Sequence, residues 1–194
     1  MDATHGTNLS DHASAHVSNH FQTISIITTT GFTLEPLTAL GGSVGFLIFI
    51  IAFIGACSGS VGGGMKAWRV LLMLKVGFSN MTKIMHPNAV SSVKLNGEKV
   101  VSSQIEAVFS FIAIYITFFL FFLFVLVFQD VDFYSAFSGT AAAINNLGPG
   151  LGDLSENYSS LTSGGKLALT MAMIVGRLEL FGVLILMIPS FWKN

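Results

Sequence analysis

Three apolar segments in this chain are long enough to cross a lipid bilayer: residues 37–65, 107–128 and 167–192. The hydrocarbon core needs about 20 apolar residues of helix, because each residue adds about 1.5 Å of rise. The middle segment carries aromatic and branched side chains on every face, which is typical of a helix exposed to lipid around much of its circumference. The sequence therefore predicts an all-α membrane protein.

Charge is scarce and segregated along the chain. Charged residues make up 10% of it, against about 25% in soluble domains. Most of the cations follow the first apolar segment: Lys66, Arg69, Lys75, Lys83, Lys94 and Lys99. Because Lys and Arg are in excess in cytoplasmic loops, the linker at residues 79–104 is predicted to face the cytoplasm. Since topology already explains these cations, they do not indicate nucleic-acid binding.

Catalytic chemistry has no signature in this sequence. The chain contains no Ser/His/Asp or paired-carboxylate arrangement at reactive spacing, so we expect neither an enzyme nor a bound cofactor. The single cysteine, Cys57, stands in an apolar run and cannot form a disulfide within the chain. We predict that it is a small buried hydrophobic residue.

Two further apolar segments are too short to span a membrane: residues 13–27 and 131–144. Their length is that of a re-entrant half-helix or of a buried core helix. Each ends in a polar loop that contains glycine, TTTGF at Thr28–Phe32 and NNLGP at Asn145–Pro149. A shift of 117 residues superposes the two loop glycines. The order of short helix, glycine loop and long helix therefore occurs twice, as two parallel repeats.

We interpret both loops as ion-binding loops. Irregular backbone at membrane depth is tolerated only where it is buried in protein or lines a water-filled path. Gly31 and Gly148 can adopt backbone angles that are closed to other residues, which lets successive carbonyls face one axis. A ring of such carbonyls can replace the hydration shell of an alkali cation. The alternative is an ordinary extracellular turn, since N-x-x-G-P-G is common turn chemistry.

Residues 55–69 read GACSGSVGGGMKAWR and interrupt the first spanning segment with small residues. They predict a broken or flexible helix near the middle of the membrane, which we interpret as a movable barrier. Gly59 and Gly64 have the spacing of a phosphate-binding loop, but Met65 occupies the position of its lysine. The alternative interpretation is close helix packing through small residues.

Arg177 lies near the middle of the third spanning segment. A charge there costs at least about 2.5 kcal/mol on insertion scales, so it is expected to face a polar interior and to have a partner. Glu179 lies on a different face of the helix, which leaves the carbonyls of residues 58–64 as the expected acceptors. A structural Arg–Glu bridge to another helix is the alternative.

Five ordered motifs resemble the carboxy-terminal half of TrkH-type potassium uptake proteins, in the Trk/Ktr/HKT superfamily. They are SIITTTGFT, GACSGSVGGGMK, IMHPNAVSSVKLNG, AAINNLGPGLG and VGRLELFGVLILMIPSFW, and the resemblance runs from about Phe21 to Trp192. It implies half of a four-repeat K⁺ channel-like fold, in which each repeat has an outer helix, a re-entrant pore helix, a filter loop and an inner transmembrane helix.

The resemblance also implies how the chain divides. Residues 1–78 would form the third repeat without its outer helix, residues 79–104 the linker and residues 105–194 the fourth repeat. The third repeat would contain pore helix 13–27, filter 28–32 and broken inner helix 37–76. The fourth would contain outer helix 105–128, pore helix 131–144, filter 145–150 and inner helix 164–191.

By the same resemblance, the function is K⁺ uptake across the bacterial inner membrane by a multi-pass protein. The filter residues would be Thr28, Thr29, Thr30, Gly31, Phe32, Asn145, Asn146, Leu147, Gly148 and Pro149. Six of them would bind K⁺ itself: Thr29, Thr30, Gly31, Asn146, Leu147 and Gly148. The gate would consist of Ser58, Gly59, Ser60, Gly62, Gly63, Gly64 and Arg177.

The expected partners follow from the missing part of the fold. Two loops cannot surround an ion, so we expect an amino-terminal half or a second copy to complete the pore. The resemblance further implies a homodimer in contact with membrane lipid and a cytoplasmic TrkA-type nucleotide-binding ring. Two alternatives remain: a secondary transporter whose broken helices bind a substrate, or a non-conducting fragment that needs an amino-terminal half.

Overall fold

The computed structural model describes residues 9–34, 47, 50–55, 57, 59–60, 62–86, 93–155 and 157–177. This part of the chain is mostly helical, as the composition predicts. Its helices are α1 (Leu9–Ile27), α2 (Ala67–Met85), α3 (Ser102–Val127), α4 (Phe133–Ile144) and α5 (Ser163–Arg177). Two short strands, β1 (Lys94–Leu95) and β2 (Glu98–Lys99), and a 3₁₀ turn at Gly152–Leu154 complete the set.

Helix α3 is the one described helix that is long and apolar enough to cross a membrane. Its buried side chains follow helical spacing and form a single stripe: Val108, Phe111, Tyr115, Phe122 and Leu126. Large apolar side chains on its other faces are exposed, among them Phe109, Ile116, Leu120, Phe121 and Phe124. One face therefore packs on protein, and the remaining apolar surface suits contact with lipid.

Helix α4 is the centre of the fold. Nearly all its residues are buried, between α3 on one side and α5 on the other. Small side chains allow this close packing, since a Cβ built on Gly139 would lie 2.5 Å from Leu154 Cδ1 and the run Ala141–Ala143 is fully buried. The helix begins at Asp132, whose carboxylate accepts hydrogen bonds from the backbone N–H groups of Tyr134 (3.0 Å) and Ser135 (3.4 Å).

Helix α1 contacts the same core from another direction. Its Ile26 is buried in a cluster with Ala52, Ala141, Ala142, Leu147 and Leu151. Three buried polar side chains on α1 have atoms without a hydrogen-bond partner in the described part of the chain: Ser18, Gln22 and Ser25. The end of α1 is thus brought next to the end of α4.

The helix that precedes α2 is interrupted, as the small residues predict. Residues 50–54 are helical, the described residues between 55 and 66 are not helical, and α2 begins at Ala67. The interruption folds back on itself, because Met65 N donates a hydrogen bond to Phe53 O at 3.2 Å. A Cβ built on Gly55 would lie 2.6 Å from Gly63 O, so the two ends of the interruption are in direct contact.

One helix boundary and the burial of one residue differ from expectation. Helix α2 continues to Met85 instead of ending at residue 76. Gly77 does not stop it, since an exposed glycine inside a helix costs only about 1 kcal/mol and Leu72 and Val76 are buried against Val108 of α3. Cys57 is exposed, so its predicted burial is wrong: it lies in the interruption, where no helix face turns it into the core.

The predicted linker contains a β-hairpin. Strands β1 and β2 pair antiparallel, with Lys94 opposite Lys99. Asn96 (φ 51°) and Gly97 (φ 88°) form its two-residue turn, which matches the preference of type I′ turns for Asn-Gly. Lys75 of α2 donates a hydrogen bond from Nζ to Lys94 O at 3.0 Å, so the hairpin is attached to α2.

Several predicted elements extend beyond the described residues. The inner helix predicted at 37–76 is described only in part, and the one predicted at 164–191 is described from Ser163 to Arg177. Ser58 and Glu179 also lie outside the described residues.

Candidate functional site

The two glycine loops are in contact with each other. A Cβ built on Gly31 would lie 2.5 Å from Leu147 O, and one built on Gly148 would lie 3.6 Å from Gly31 Cα. Both glycines have left-handed backbone angles, with φ values of 84° and 96°. Such angles favour glycine, and at Gly31 the close approach also leaves no room for a side chain. The chain thus brings its two most unusual loops to one place.

The two loops also have the same backbone geometry. Thr29 (φ 55°) and Asn146 (φ 54°) stand at positions related by the shift of 117 residues, and both are left-handed. Three backbone hydrogen bonds match under the same shift. In the first loop they run from Thr28 N to Ile24 O (2.9 Å), Thr29 N to Ile26 O (3.0 Å) and Thr30 N to Ser25 O (2.8 Å). In the second they run from Asn145 N to Ala141 O (3.1 Å), Asn146 N to Ala143 O (3.1 Å) and Leu147 N to Ala142 O (2.8 Å).

This pattern is the Schellman ending of a helix, in which a left-handed residue closes the last turn. Helices α1 and α4 therefore both stop immediately before their loops, at Ile27 and Ile144. The carboxy-terminal end of a helix carries a partial negative charge of about half an electron. Two such ends meet where the loops touch, so the local field favours a cation there.

The interrupted segment, residues 55–66, lies directly against both loops. Gly63 N donates a hydrogen bond to Thr29 Oγ1 at 3.2 Å. A Cβ built on Gly63 would overlap Asn145 O and lie 2.6 Å from Asn145 C. A glycine at this position is therefore what allows the segment to touch the second loop while it is hydrogen-bonded to the first.

A cavity of about 70 Å³ lies between the interrupted segment, α3, α4 and α5. Its lining includes two cationic side chains, Lys66 and Arg177, together with the glycines at 62–64. Lys66 is only 9% exposed, although the sequence pattern assigns it to the basic linker side. Two positive charges close to the loops raise the electrostatic energy of a cation in this cavity.

Helices α3 and α5 both form hydrogen bonds to the second loop. Tyr115 donates a hydrogen bond from its hydroxyl to Asn145 Oδ1 at 2.8 Å, and both residues are buried. Asn146 Nδ2 donates to Met173 O at 3.3 Å. A Cβ built on Gly176 would overlap Ile144 O, so the backbones of α5 and α4 are in contact.

The outer end of the second loop is held as well. Tyr158 donates a hydrogen bond from its hydroxyl to Gly148 O at 2.7 Å. Burial raises the pKa of Tyr158 to about 12, so this hydroxyl is protonated and donates at neutral pH. Ser138 of α4 accepts a hydrogen bond from Leu151 N at 2.9 Å and donates one to Leu151 O at 3.0 Å.

The remaining predicted filter and gate residues are exposed or half-buried, or form local hydrogen bonds. Thr28 Oγ1 bonds Ile24 O at 2.7 Å and shares a 2.8 Å contact with Thr30 Oγ1. Phe32 is 70% exposed, and Pro149 is half-buried. In the predicted gate, Gly59 is exposed and Ser60 donates a hydrogen bond to Cys57 O. The roles of these residues in a filter or a gate stay predictions.

Four residues of the site were not among the filter and gate residues predicted from the sequence: Lys66, Tyr115, Tyr158 and Gly176. One signal for Tyr115 was available, because a tyrosine on a long Phe-rich helix needs a partner for its hydroxyl when it is buried. Within the described residues, no group of three or more His, Cys, Asp or Glu could hold a metal.

Comparison with known proteins gives the family. A sequence model described as "TrkH: Cation transport protein" matches residues 6–194. Trk system potassium uptake protein TrkH of Halomonas elongata is 41% identical, over 90% of this chain and 36% of the relative. The Escherichia coli protein of the same name is 39% identical, with the same two shares.

A solved structure has the same fold. The crystal structure of the potassium transporter TrkH from Vibrio parahaemolyticus matches with a TM-score of 0.85 and 37% identity, over 97% of this chain and 40% of the other. The chain therefore spans little more than a third of the length of the relatives it matches. The resemblance found in the sequence is confirmed, and the family is one of cation transporters and not of enzymes. This chain is a membrane protein and belongs to the TrkH family of cation transport proteins.

Proposed function

We propose that this chain takes part in K⁺ uptake across a bacterial inner membrane by supplying two loops of a backbone-carbonyl selectivity filter. The observation that carries the proposal is the contact between the loops at Gly31 and Gly148, at the ends of two helices. Those ends favour a cation. The relatives named above are called potassium uptake proteins, which makes K⁺ the expected ion.

The proposed ligands are carbonyl oxygens of the two loops. They belong to Thr29, Thr30, Gly31, Asn146, Leu147 and Gly148. Carbonyl dipoles can replace the water around a K⁺ ion, and the number and field strength of those dipoles contribute to the discrimination against Na⁺. Matching left-handed angles in the two loops support equivalent roles in two parallel repeats, each with a pore helix and a filter loop.

The interrupted segment is the proposed gate. It lies next to both loops through Gly63, and its glycines at 62–64 share a cavity with Arg177. Small side chains let it move with little steric cost, and the positive charges of Arg177 and Lys66 oppose a cation that passes this level. Gating would then consist of displacing residues 55–66 from the ion path.

A complete pore needs more chain than this one supplies. Two loops leave half of an ion's surroundings open, so an amino-terminal half or a second copy is the proposed partner. A dimer and a cytoplasmic TrkA-type regulatory ring are proposed in addition. The basic linker and its hairpin carry Lys94 and Lys99, both exposed, and offer a surface for that ring.

Ion flux in liposomes tests this function. The chain would be reconstituted alone, together with the amino-terminal part of V. parahaemolyticus TrkH, and as a chimera in which it replaces the matching part of that protein. Uptake of ⁸⁶Rb⁺ in preference to ²²Na⁺ is expected whenever the amino-terminal part is present, and the same uptake by the chain alone would show that a second copy completes the pore. Coupling of uptake to an ion gradient would favour the secondary transporter, and no flux in any arm would favour a non-conducting fragment.

A filter variant with a matched control sharpens the test. Gly148→Ser is expected to reduce the Rb⁺ over Na⁺ preference about tenfold, because a side chain is introduced at a left-handed position of the loop. Gly77→Ser is the control, since a Cβ built on Gly77 meets nothing within 4 Å and Gly77 lies on an exposed helix face. Unchanged selectivity in Gly148→Ser would refute the proposed filter.

A further inference from the structure

Tyr158 contacts the proposed filter from the segment that joins the second loop to α5. It lies between the 3₁₀ turn and α5, and its ring packs on the core formed by α3, α4 and α5. Its Cε1 atom lies 3.8 Å from a Cβ built on Gly139 of α4. With its ring packed in this way, Tyr158 donates a hydrogen bond from its hydroxyl to Gly148 O at 2.7 Å.

The peptide that accepts this hydrogen bond has an unusual composition. It joins Gly148 to Pro149, and proline has no N–H, so the carbonyl is its one polar group. Gly148 has no side chain to limit its rotation, and it is exposed. The hydrogen bond from Tyr158 therefore both fixes the direction of this carbonyl and occupies one of its two lone pairs.

We propose that Tyr158 is a positioning residue that orients the Gly148 carbonyl and thereby sets the preference of the filter for K⁺ over Na⁺. This inference rests on the proposed function, since it assumes that the loop binds an ion. Discrimination depends on how many carbonyl dipoles face the ion and how strongly they are held. A carbonyl tied to a tyrosine hydroxyl cannot turn inward to contract the site around the smaller Na⁺ ion.

The sequence gives the other loop no tyrosine at the equivalent position. The shift of 117 residues that relates the loops pairs Tyr158 with Gly41, which has no side chain. The proposed role is therefore specific to the second loop. The proposed role of Tyr158 also differs from general stabilisation of the fold. It concerns the orientation of one carbonyl group, and it predicts a change in ion preference.

The test compares hydroxyl deletions in the chimera described above. Tyr158→Phe removes the hydroxyl and keeps the ring that packs in the core. We expect it to lower the Rb⁺ over Na⁺ flux ratio about fivefold, the value of one neutral hydrogen bond, with total flux at the wild-type level or above it. Tyr134→Phe is the matched control, since Tyr134 lies 45% exposed at the start of α4, and its ratio is expected to stay at the wild-type value.

A second measurement does not depend on the folding of the Phe variant. 3,5-Difluorotyrosine incorporated at position 158 keeps the shape of the side chain but lowers the pKa of its hydroxyl by several units. The wild-type ratio is expected to be constant from about pH 6 to 10, because Tyr158 stays protonated below its pKa of about 12. Fluorination lowers the pKa from this raised value, so the fluorinated protein is expected to lose selectivity only in the upper part of that range, when the donor proton is lost.

The outcomes separate the two proposals. A wild-type chimera that does not prefer Rb⁺ refutes the proposed function and this inference with it. A selective wild type whose ratio is unchanged by Tyr158→Phe, and is constant with pH after fluorination, refutes the role of Tyr158 alone. Equal losses in the Tyr158 and Tyr134 variants also refute it, since the effect would then not depend on the bond to Gly148.

Discussion

The two glycine loops share one backbone geometry but are held in different ways. The second loop is hydrogen-bonded to Tyr115 of α3, to Met173 of α5 and to Tyr158. In the part of the chain described, the first loop is braced mainly by its own threonines, and its bond to another element is the one from Gly63 N to Thr29 Oγ1. The same loop shape can thus be stabilised from within or from its surroundings.

This difference suggests that the two loops respond differently to movement of the interrupted segment. The second loop, which is hydrogen-bonded to α3, α5 and Tyr158, is expected to keep its shape when the interrupted segment moves. A loop whose bond to another element comes from that segment responds to its position. We infer that the second loop is the stable side of the proposed filter and that the first loop senses the proposed gate. Three predictions test this comparison.

The largest effect is expected at the contact between the loops. Gly31→Ala places a Cβ 2.5 Å from Leu147 O and also strains a left-handed backbone, so it should destabilise the protein by about 3 kcal/mol. Gly148→Ala carries the strain without the overlap, because its Cβ meets Gly31 Cα at 3.6 Å, and should cost about 1 kcal/mol. Thermal unfolding of both variants in detergent would measure the difference, and equal losses would contradict the geometry of the contact.

An intermediate effect is expected for Tyr115→Phe. It leaves Asn145 Oδ1 buried without its donor, and Asn145 Nδ2 already has no partner among the described residues, so the cost is about 2 kcal/mol. The melting temperature should fall, while Tyr134→Phe, which removes an exposed hydroxyl, should leave it unchanged. A Tyr115→Phe protein as stable as the wild type would mean that α3 does not hold the second loop.

The smallest effect is expected for Thr29→Asn, and its sign is opposite. Thr29 is a β-branched residue with φ 55°, whereas Asn146 holds the matching position with a residue that tolerates this angle. Asparagine at position 29 should therefore stabilise the protein by up to about 1 kcal/mol. Thr29→Val, which keeps the strain and loses the acceptor for Gly63 N–H, is the control and should destabilise it. A lower melting temperature for the Asn variant would show that Thr29 is not strained.

The ends of α1 and α4 and the conformations of the loop glycines could be predicted from the sequence, because they depend on local chemistry. A short apolar run followed by polar residues and glycine stops a helix wherever it lies. The ties of the second loop could not be predicted in this way. Tyr115 lies 30 residues from Asn145, and Tyr158 10 from Gly148, so only the folded chain brings each pair together.

The burial of Lys66 has a similar explanation. Its place after a glycine run suggested the start of a solvated basic linker. In the structure, the interruption returns to Phe53 before α2 begins, and this carries Lys66 back into the protein beside the cavity. A charge near the end of a spanning segment is therefore hard to assign from its neighbours in the sequence alone.

The backbone contact between Gly176 and Ile144 O limits how α5 can move. With no side chain between them, α5 cannot slide toward α4, and any larger residue at position 176 would push the helices apart. The contact therefore sets the closest approach of the two helices at this point. Because Arg177 is the next residue, a tilt that begins elsewhere on α5 would swing its guanidinium through an arc beside the cavity.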